Sequence, residues 1–334
     1  MCQRCQRLKA KPLEPFMGNL PPSRVREARP FIRVGIDFAG PFSIRTSNQR
    51  KSKVVKAYLC VFVCLAVKAV HLEVTSDLTT NAFMASFDRF VSRRGMVSDV
   101  YTDCGKNFQG ARRHLNEVDV FLRQHQHDLT EALAKVSVKW HMNPPYAPHM
   151  GGLWEASVKS AKLLLKRTLG EQVLTFEELT TIFAKVEAVL NSRPLCPTSN
   201  DPNDLETLTP GHFIIGHPLV SLPEYDFDHT PISRLNRWQL VQQISQHFWR
   251  RWQLEYLHNL QQRAKWCKNV PNLKIGDLVL VKEDNLPPLQ WRKARVSKLR
   301  PGADGVVRVV ELRTSTGTCV RSVAKVCPLP SLDN

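Results

Sequence analysis

No apolar run in this chain is long enough to cross a bilayer. The longest, Ala57 to Val67, lies between Lys56 and Lys68; it falls short of the ~20 residues a spanning helix needs and suits a buried strand. The opening MCQRCQRLKAK has no apolar core of a secretory leader. Acidic residues are scarce, 30 Asp plus Glu against 47 Lys plus Arg, a net charge of +17. That excess disfavours a polycationic partner and points to a polyanion, nucleic acid being the commonest. The nine cysteines are odd in number and mostly scattered, which argues against a disulfide framework and for a reducing compartment. Internal repeats and low-complexity tracts are also missing.

What remains is ordinary globular composition, 43% hydrophobic and 23% charged, and 334 residues are enough for a sizeable core and two domains. Charge is unevenly placed. Residues 201–230 hold Asp201, Asp204, Glu206, Glu224, Asp226 and Asp228 and no Lys or Arg, −6 in all. Residues 231–334 carry +11 and residues 1–200 carry +12. An acidic, proline-bearing connection between two basic blocks is therefore expected.

Residues 6–30, with five prolines and no periodicity, read as a linker. RVGIDFAGPFSI reads as a strand with Asp37 among apolar neighbours, and KAYLCVFVCLAVKAVHLEV as two successive buried strands. TTNAFMASFDRFVSRRG places Phe83, Phe87 and Phe90 at helical spacing and ends on Gly95. SDVYTDCGKNF is a short strand running into a loop, followed by a polar, mostly helical insertion to about Lys135 and a strand at VSVKWH. Two helices come next. The second opens on Thr175 and Glu178 in capping-box spacing and carries Phe176, Leu179, Phe183, Val186 and Leu190 on one face. This order predicts an α/β core with a mixed sheet. A long amphipathic helix rich in Trp and Arg follows, then four or five short strands, read as a small antiparallel barrel.

Three acids stand out. Asp37 sits inside an apolar strand, where an unpaired carboxylate is costly. Asp103 lies at a strand's end, and Glu155 opens a helix after Gly151 and Gly152. Converging carboxylates repel one another unless cations are present, so such a group predicts Mg²⁺ or Mn²⁺. Two ions roughly 3.5–4 Å apart can serve phosphoryl transfer. Singly, each acid is weak evidence, since a glutamate in a first helical turn ordinarily just favours the helix dipole. Glu155, Lys159, Lys162 and Lys166 share one narrow helix face, opposite Leu153, Ala161, Leu164 and Leu165. That face suits either solvent or DNA.

GIDFAGPF, AVHLEV, SRRG before YTDCGKNF, PPYAPHMGGLWEASVKSAK and LNSRPL occur in the order of retroelement integrases, and their wording most resembles the integrase region of BEL/Pao-type retrotransposon polyproteins. LTPGHFIIG, FWRRWQLEYLHNLQQR and GDLVLVKED resemble the uncharacterised domain that follows the core there. The resemblance spans nearly the whole chain. It implies an RNase H-like mixed sheet flanked by helices, then a long amphipathic helix and a small SH3-like β-barrel. The implied divisions are a zinc-module remnant and linker (1–30), the catalytic core (31–200), an acidic connection (201–230) and a basic C-terminal domain (231–334).

By motif match the resemblance makes Asp37, Asp103 and Glu155 the Asp-Asp-Glu triad holding two Mg²⁺ or Mn²⁺ ions. Lys159 and Lys162 would hold the element's DNA end, with Lys166, Asn107, Arg250 and Arg251 as further candidate DNA contacts. It also implies 3′-end processing and strand transfer, DNA and a second copy of the chain as partners, no membrane, and a nuclear protein passing through the cytoplasm rather than a secreted one. Two departures stand beside it. Cys104 replaces the family's usual Asn after the second Asp. Cys2 and Cys5 match the last pair of a His-His-Cys-Cys zinc module, but no histidine precedes them; a fragment or truncated chain without zinc, and with free thiols, is expected. These departures keep open a non-catalytic, domesticated DNA-binding protein. A simple RNase H-type nuclease is the third reading. His71 and His149 read as structural residues, Cys60 and Cys64 as core, and Trp249 and Trp252 as helix packing.

Overall fold

The computed structural model describes residues 26–47, 49, 51–102, 138–142, 152–261 and 272–330, with the backbone alone at 80, 102, 142 and 152–160. Its N-terminal part is built on a mixed sheet. The long strand β1 (Arg33–Arg45) pairs antiparallel with β2 (Val54–Cys64), and β2 pairs antiparallel with β3 (Val70–Thr75). After helix α1 (Thr80–Arg94), β4 (Asp99–Thr102) returns parallel to the other side of β1, and β5 (Lys139–Met142) adds parallel to β4. The spatial order is β3-β2-β1-β4-β5, with β1 central.

Alternation along β2 sorts its side chains into two layers, as period-2 geometry requires. Cys60, Phe62 and Cys64 face α1 and meet Phe83, Phe87 and Phe90. Phe62 and Phe90 stack with centroids 4.2 Å apart. Leu59, Val61 and Val63 face the other layer. That layer is made by α2 (Gly152–Leu169), α3 (Phe176–Asn191) and a long helix later in the chain. Between α2 and α3, a two-residue strand β6 (Leu174–Thr175) extends parallel to the far end of β1.

Helix limits follow the expected chemistry. The Thr79 hydroxyl accepts from the Ala82 N–H, and α1 stops at Gly95 with φ of 84°, a conformation glycine adopts cheaply. In α3 the Thr175 hydroxyl accepts from the Glu178 N–H at 3.2 Å, and the Glu178 carboxylate accepts from the Thr175 N–H at 2.8 Å. One residue of the expected apolar face departs. Phe176 is half exposed, because as the first residue of α3 its Cβ tilts back past the helix end and burial begins one turn later at Leu179.

After β7 (Cys196–Pro197), β8 (Thr207–Leu208) and the short helix α4 (Pro210–Ile215), the chain enters α5 (Arg237–Leu260). Leu240, Ile244, Phe248 and Trp252 of α5 join the same apolar cluster as α2 and α3. The acidic stretch is strapped down at both ends. Arg295, buried in the C-terminal sheet, donates to the carbonyls of Ser199 and Asp204 at 2.8 Å each. Further on, Glu224 pairs with Lys185 of α3, and Asp228 with His247 and Arg250 of α5.

The C-terminal part is an antiparallel sheet of five strands: β9 (Leu278–Val281), β10 (Lys293–Pro301), β11 (Val307–Thr314), β12 (Gly317–Ser322) and β13 (Val326–Pro328). Its order is β12-β11-β10-β9-β13. The register of β10 with β11 breaks twice, with Ser297 extra on β10 and Arg308 extra on β11, the kind of break that lets a strand pair bend. The sheet has its own cluster around Val279, Ala294, Val310 and Leu312. A second cluster joins Leu278, Leu280 and Cys327 to Leu257 at the end of α5.

Candidate nucleic-acid processing site

Asp37 lies on the central strand, opposite Val61 of β2. Its neighbours Ile36 and Phe38 turn toward α1, so Asp37 faces the layer that contains α2. Its side chain is 30% exposed, which leaves it open to a partner. Three residues on, Gly40 (φ 130°) and the cis Gly40–Pro41 bond lie in a break of register between Ala39 and Phe42. A Cβ on Gly40 would come within 2.9 Å of the Tyr58 ring, so glycine alone fits there.

The partner of Asp37 is Lys162 of α2. The Lys162 ammonium donates to Asp37 Oδ2 and, at 2.8 Å, to the Phe38 carbonyl. Asp37 Oδ1 also accepts from the Phe38 N–H at 2.7 Å. Helical side chains lean toward the N-terminus of their helix, so this contact is reached from the Glu155 end of α2. Glu155 is in the first turn of α2, seven residues or about 10 Å of helix before Lys162. Its side chain, like that of Lys159, lies outside the described residues. So do Asp103, Asn107, Cys2, Cys5, Cys104 and His149. The described part of β4 ends at Thr102, paired with Ile36, the residue before Asp37.

Among the described residues no three His, Cys, Asp or Glu side chains gather to hold a metal. The ammonium of Lys162 shows the kind of group that Asp37 accepts: a cation. Lys166 is exposed beyond it on α2, and Arg251 is exposed on α5. Arg250 is spoken for by Asp228, whose side chain is 8% exposed. Trp249 and Trp252 are buried; the Trp249 N–H donates to the Leu286 carbonyl at 2.9 Å.

A polar network that sequence reasoning did not assign supports the edge of the sheet. β3 is an edge strand, and its outer backbone groups are taken by side chains of α3. The Val70 N–H donates to Asn191 Oδ1 at 2.8 Å, and Asn191 Nδ2 donates to the Val70 carbonyl at 2.7 Å. The Leu72 N–H donates to Glu187 Oε2 at 2.9 Å. Buried His71 bridges Glu73 and Glu187, at 3.0 and 3.2 Å. Arg89 and Arg93 hold Glu73, and Arg94 holds Glu187. Burial works against the His71 imidazolium, but Glu187 and Glu73 outweigh it and its pKa is raised. Burial likewise opposes the Glu73 carboxylate, yet His71 and Arg89 bring its pKa below the usual range. AVHLEV and LNSRPL are therefore two halves of one clamp. The visible signal was Glu187 and Asn191, one turn apart beside the buried apolar face of α3.

Residues 236–329 match a family of unknown function, DUF5641. That segment covers α5 and the C-terminal sheet. No curated protein matches the chain. Among solved structures the chain is similar to one in the cryoEM structure of a simian T-cell lymphotropic virus intasome in complex with PP2A regulatory subunit B56 gamma. The identity is 14% and the TM-score 0.37, over 98% of this chain and 87% of that one. A superposition this loose assigns neither activity nor substrate.

Proposed function

We propose that the chain is a metal-dependent DNA strand transferase of the retroelement integrase type, most similar in wording to the BEL/Pao group. One observation carries the reading: Asp37, on the central strand of a β3-β2-β1-β4-β5 sheet, meets the Lys162 ammonium, delivered by the helix whose first turn holds Glu155. That strand order supports an RNase H-like core, and the five-stranded antiparallel sheet supports an SH3-like C-terminal module.

In this reading Asp37, Asp103 and Glu155 hold two Mg²⁺ or Mn²⁺ ions. When bound, the ions would neutralise the phosphoryl group under attack and acidify a water. Lys159, Lys162 and Lys166 bind phosphates of the element end and hold its 3′ terminus over Asp37, a positioning role worth several kcal/mol in such reactions. With a cation bound at Asp37, Lys162 would be free to leave the carboxylate for a DNA phosphate. The basic surface, Arg251 included, binds duplex through phosphates with strong salt dependence. The protein works in the nucleus on element and target DNA, as a homo-oligomer.

The test is to incubate the purified chain with Mn²⁺ or Mg²⁺, a labelled duplex ending in a candidate element end, and supercoiled target DNA. Glu155→Gln is the control. Joined product that vanishes in the variant supports strand transfer. Hydrolysis without joining favours a nuclease. Salt-sensitive binding without cleavage, alike in both proteins, leaves only a DNA-binding role, the reading that Cys104 favours.

A further inference from the structure

A cavity of about 200 Å³ lies between the sheet and the three helices α2, α3 and α5. Its walls are mostly aliphatic, with Leu59, Val70, Leu165, Val186 and Leu190 among them. An apolar cavity of ~150 Å³ is already enough for a benzene-sized molecule. Besides the indole of Trp252, four polar side chains also reach this wall: Lys162, Arg193, Tyr256 and the uncharged Asn259. The first is accounted for, since Asp37 holds the Lys162 ammonium.

Arg193 is not. It is 7% exposed, and among the described residues its guanidinium donates to the carbonyls of Leu190 and Lys68 alone. Among the described residues no carboxylate lies within ion-pair distance of it. A guanidinium carries five N–H donors, so two carbonyls leave part of it unused. Removing an arginine from water without a counter-charge is costly. Burial indeed pulls its pKa down, with only the Tyr256 oxygen opposing. The phenol of Tyr256 donates to the Pro194 carbonyl, and burial pushes its pKa up to about 12, so it supplies no negative charge near neutral pH. Nearby, the indole N–H of Trp252 is buried without an acceptor. Among the described residues that line it, the cavity therefore has two cations and several donors beside an aliphatic volume, and no carboxylate.

We infer that this cavity is a binding site for a small apolar carboxylate, an aryl or short aliphatic acid, whose hydrocarbon fills the aliphatic wall and whose carboxylate pairs with Arg193. The inference is independent of strand transfer; it needs only the packing of α2, α3 and α5 on the sheet.

The probe is 3-phenylpropionate, set against the uncharged 3-phenylpropan-1-ol, added to the full chain. Binding is followed by ligand-observed NMR and by quenching of tryptophan fluorescence, to which Trp252 in the wall contributes. The acid is expected to bind at least about tenfold more tightly than the alcohol, a difference of ~1.4 kcal/mol. Val186→Phe fills the volume and should abolish binding of both without lowering the thermal midpoint. Arg193→Met should erase the preference for the acid. Equal binding of acid and alcohol to the unsubstituted chain, no binding of either, or acid binding that survives Val186→Phe would each overturn the inference.

Discussion

Replacing Asn191 with alanine tests whether α3 clamps the sheet edge. Asn191 is 1% exposed and Val70 3%, so water does not stand in for the lost amide. The substitution strands the Val70 N–H and carbonyl together, two buried groups costing about 1–3 kcal/mol each. Allowing for overlap, the expected destabilisation is ~2–5 kcal/mol, a large share of the ~5–15 kcal/mol that holds a typical native state. At roughly 2–4 °C per kcal/mol for a domain of this order, the midpoint should fall by about 5–15 °C. Scanning calorimetry reads this directly. Asn191→Asp sharpens the result: its carboxylate still accepts from the Val70 N–H but faces the Val70 carbonyl with a second acceptor, so it should be no better tolerated than alanine. A midpoint within ~2 °C of the parent for both variants would mean that the β3 edge is not held by this side chain.

Three more outcomes follow from the same geometry. Lys166→Met should make the dependence of log affinity for duplex DNA on log salt shallower by about 0.9, one phosphate contact, as read by fluorescence anisotropy; an unchanged slope would remove it from the DNA face. Gly40→Ala should cost roughly 1–3 kcal/mol, because its φ of 130° and the 2.9 Å approach to the Tyr58 ring leave no room for a methyl group; wild-type stability in denaturant would contradict this. The His71 network should give stability a two-sided pH profile. Its pKa is raised, so the His71 contribution is full below the ordinary histidine value and is lost as pH rises through the raised one. That of Glu73 is lowered, so its contribution is full above the ordinary carboxylate value and is lost as pH falls through the lowered one. His71→Gln should remove the alkaline limb of a plot of midpoint against pH, and a limb that persists would assign it elsewhere.

Local chemistry was legible in the sequence because its partners are close along the chain. The capping box of α3, the stop of α1 at Gly95, the alternation in β2 and the start of α5 at Asn236 all rest on residues a few positions apart. The burial of Cys60, Cys64, Trp249 and Trp252 followed from the same periodicities. The acidity of residues 201–230 was equally plain, but a charge count could not say that Glu224 pairs with Lys185 of α3 and Asp228 with His247 and Arg250 of α5.

Tertiary structure alone decided the rest, because those partners meet only once the sheet and helices have packed. Asn191 and Val70 are 121 positions apart, and Lys162 and Asp37 are 125 apart. No periodicity relates such pairs. Sequence marked Asp37 as an acid in an apolar strand and Lys162 as part of a basic helix face. Packing α2 against the central strand set the two side chains on each other. The same packing buried Arg193 beside a cavity where no carboxylate of the described residues meets it.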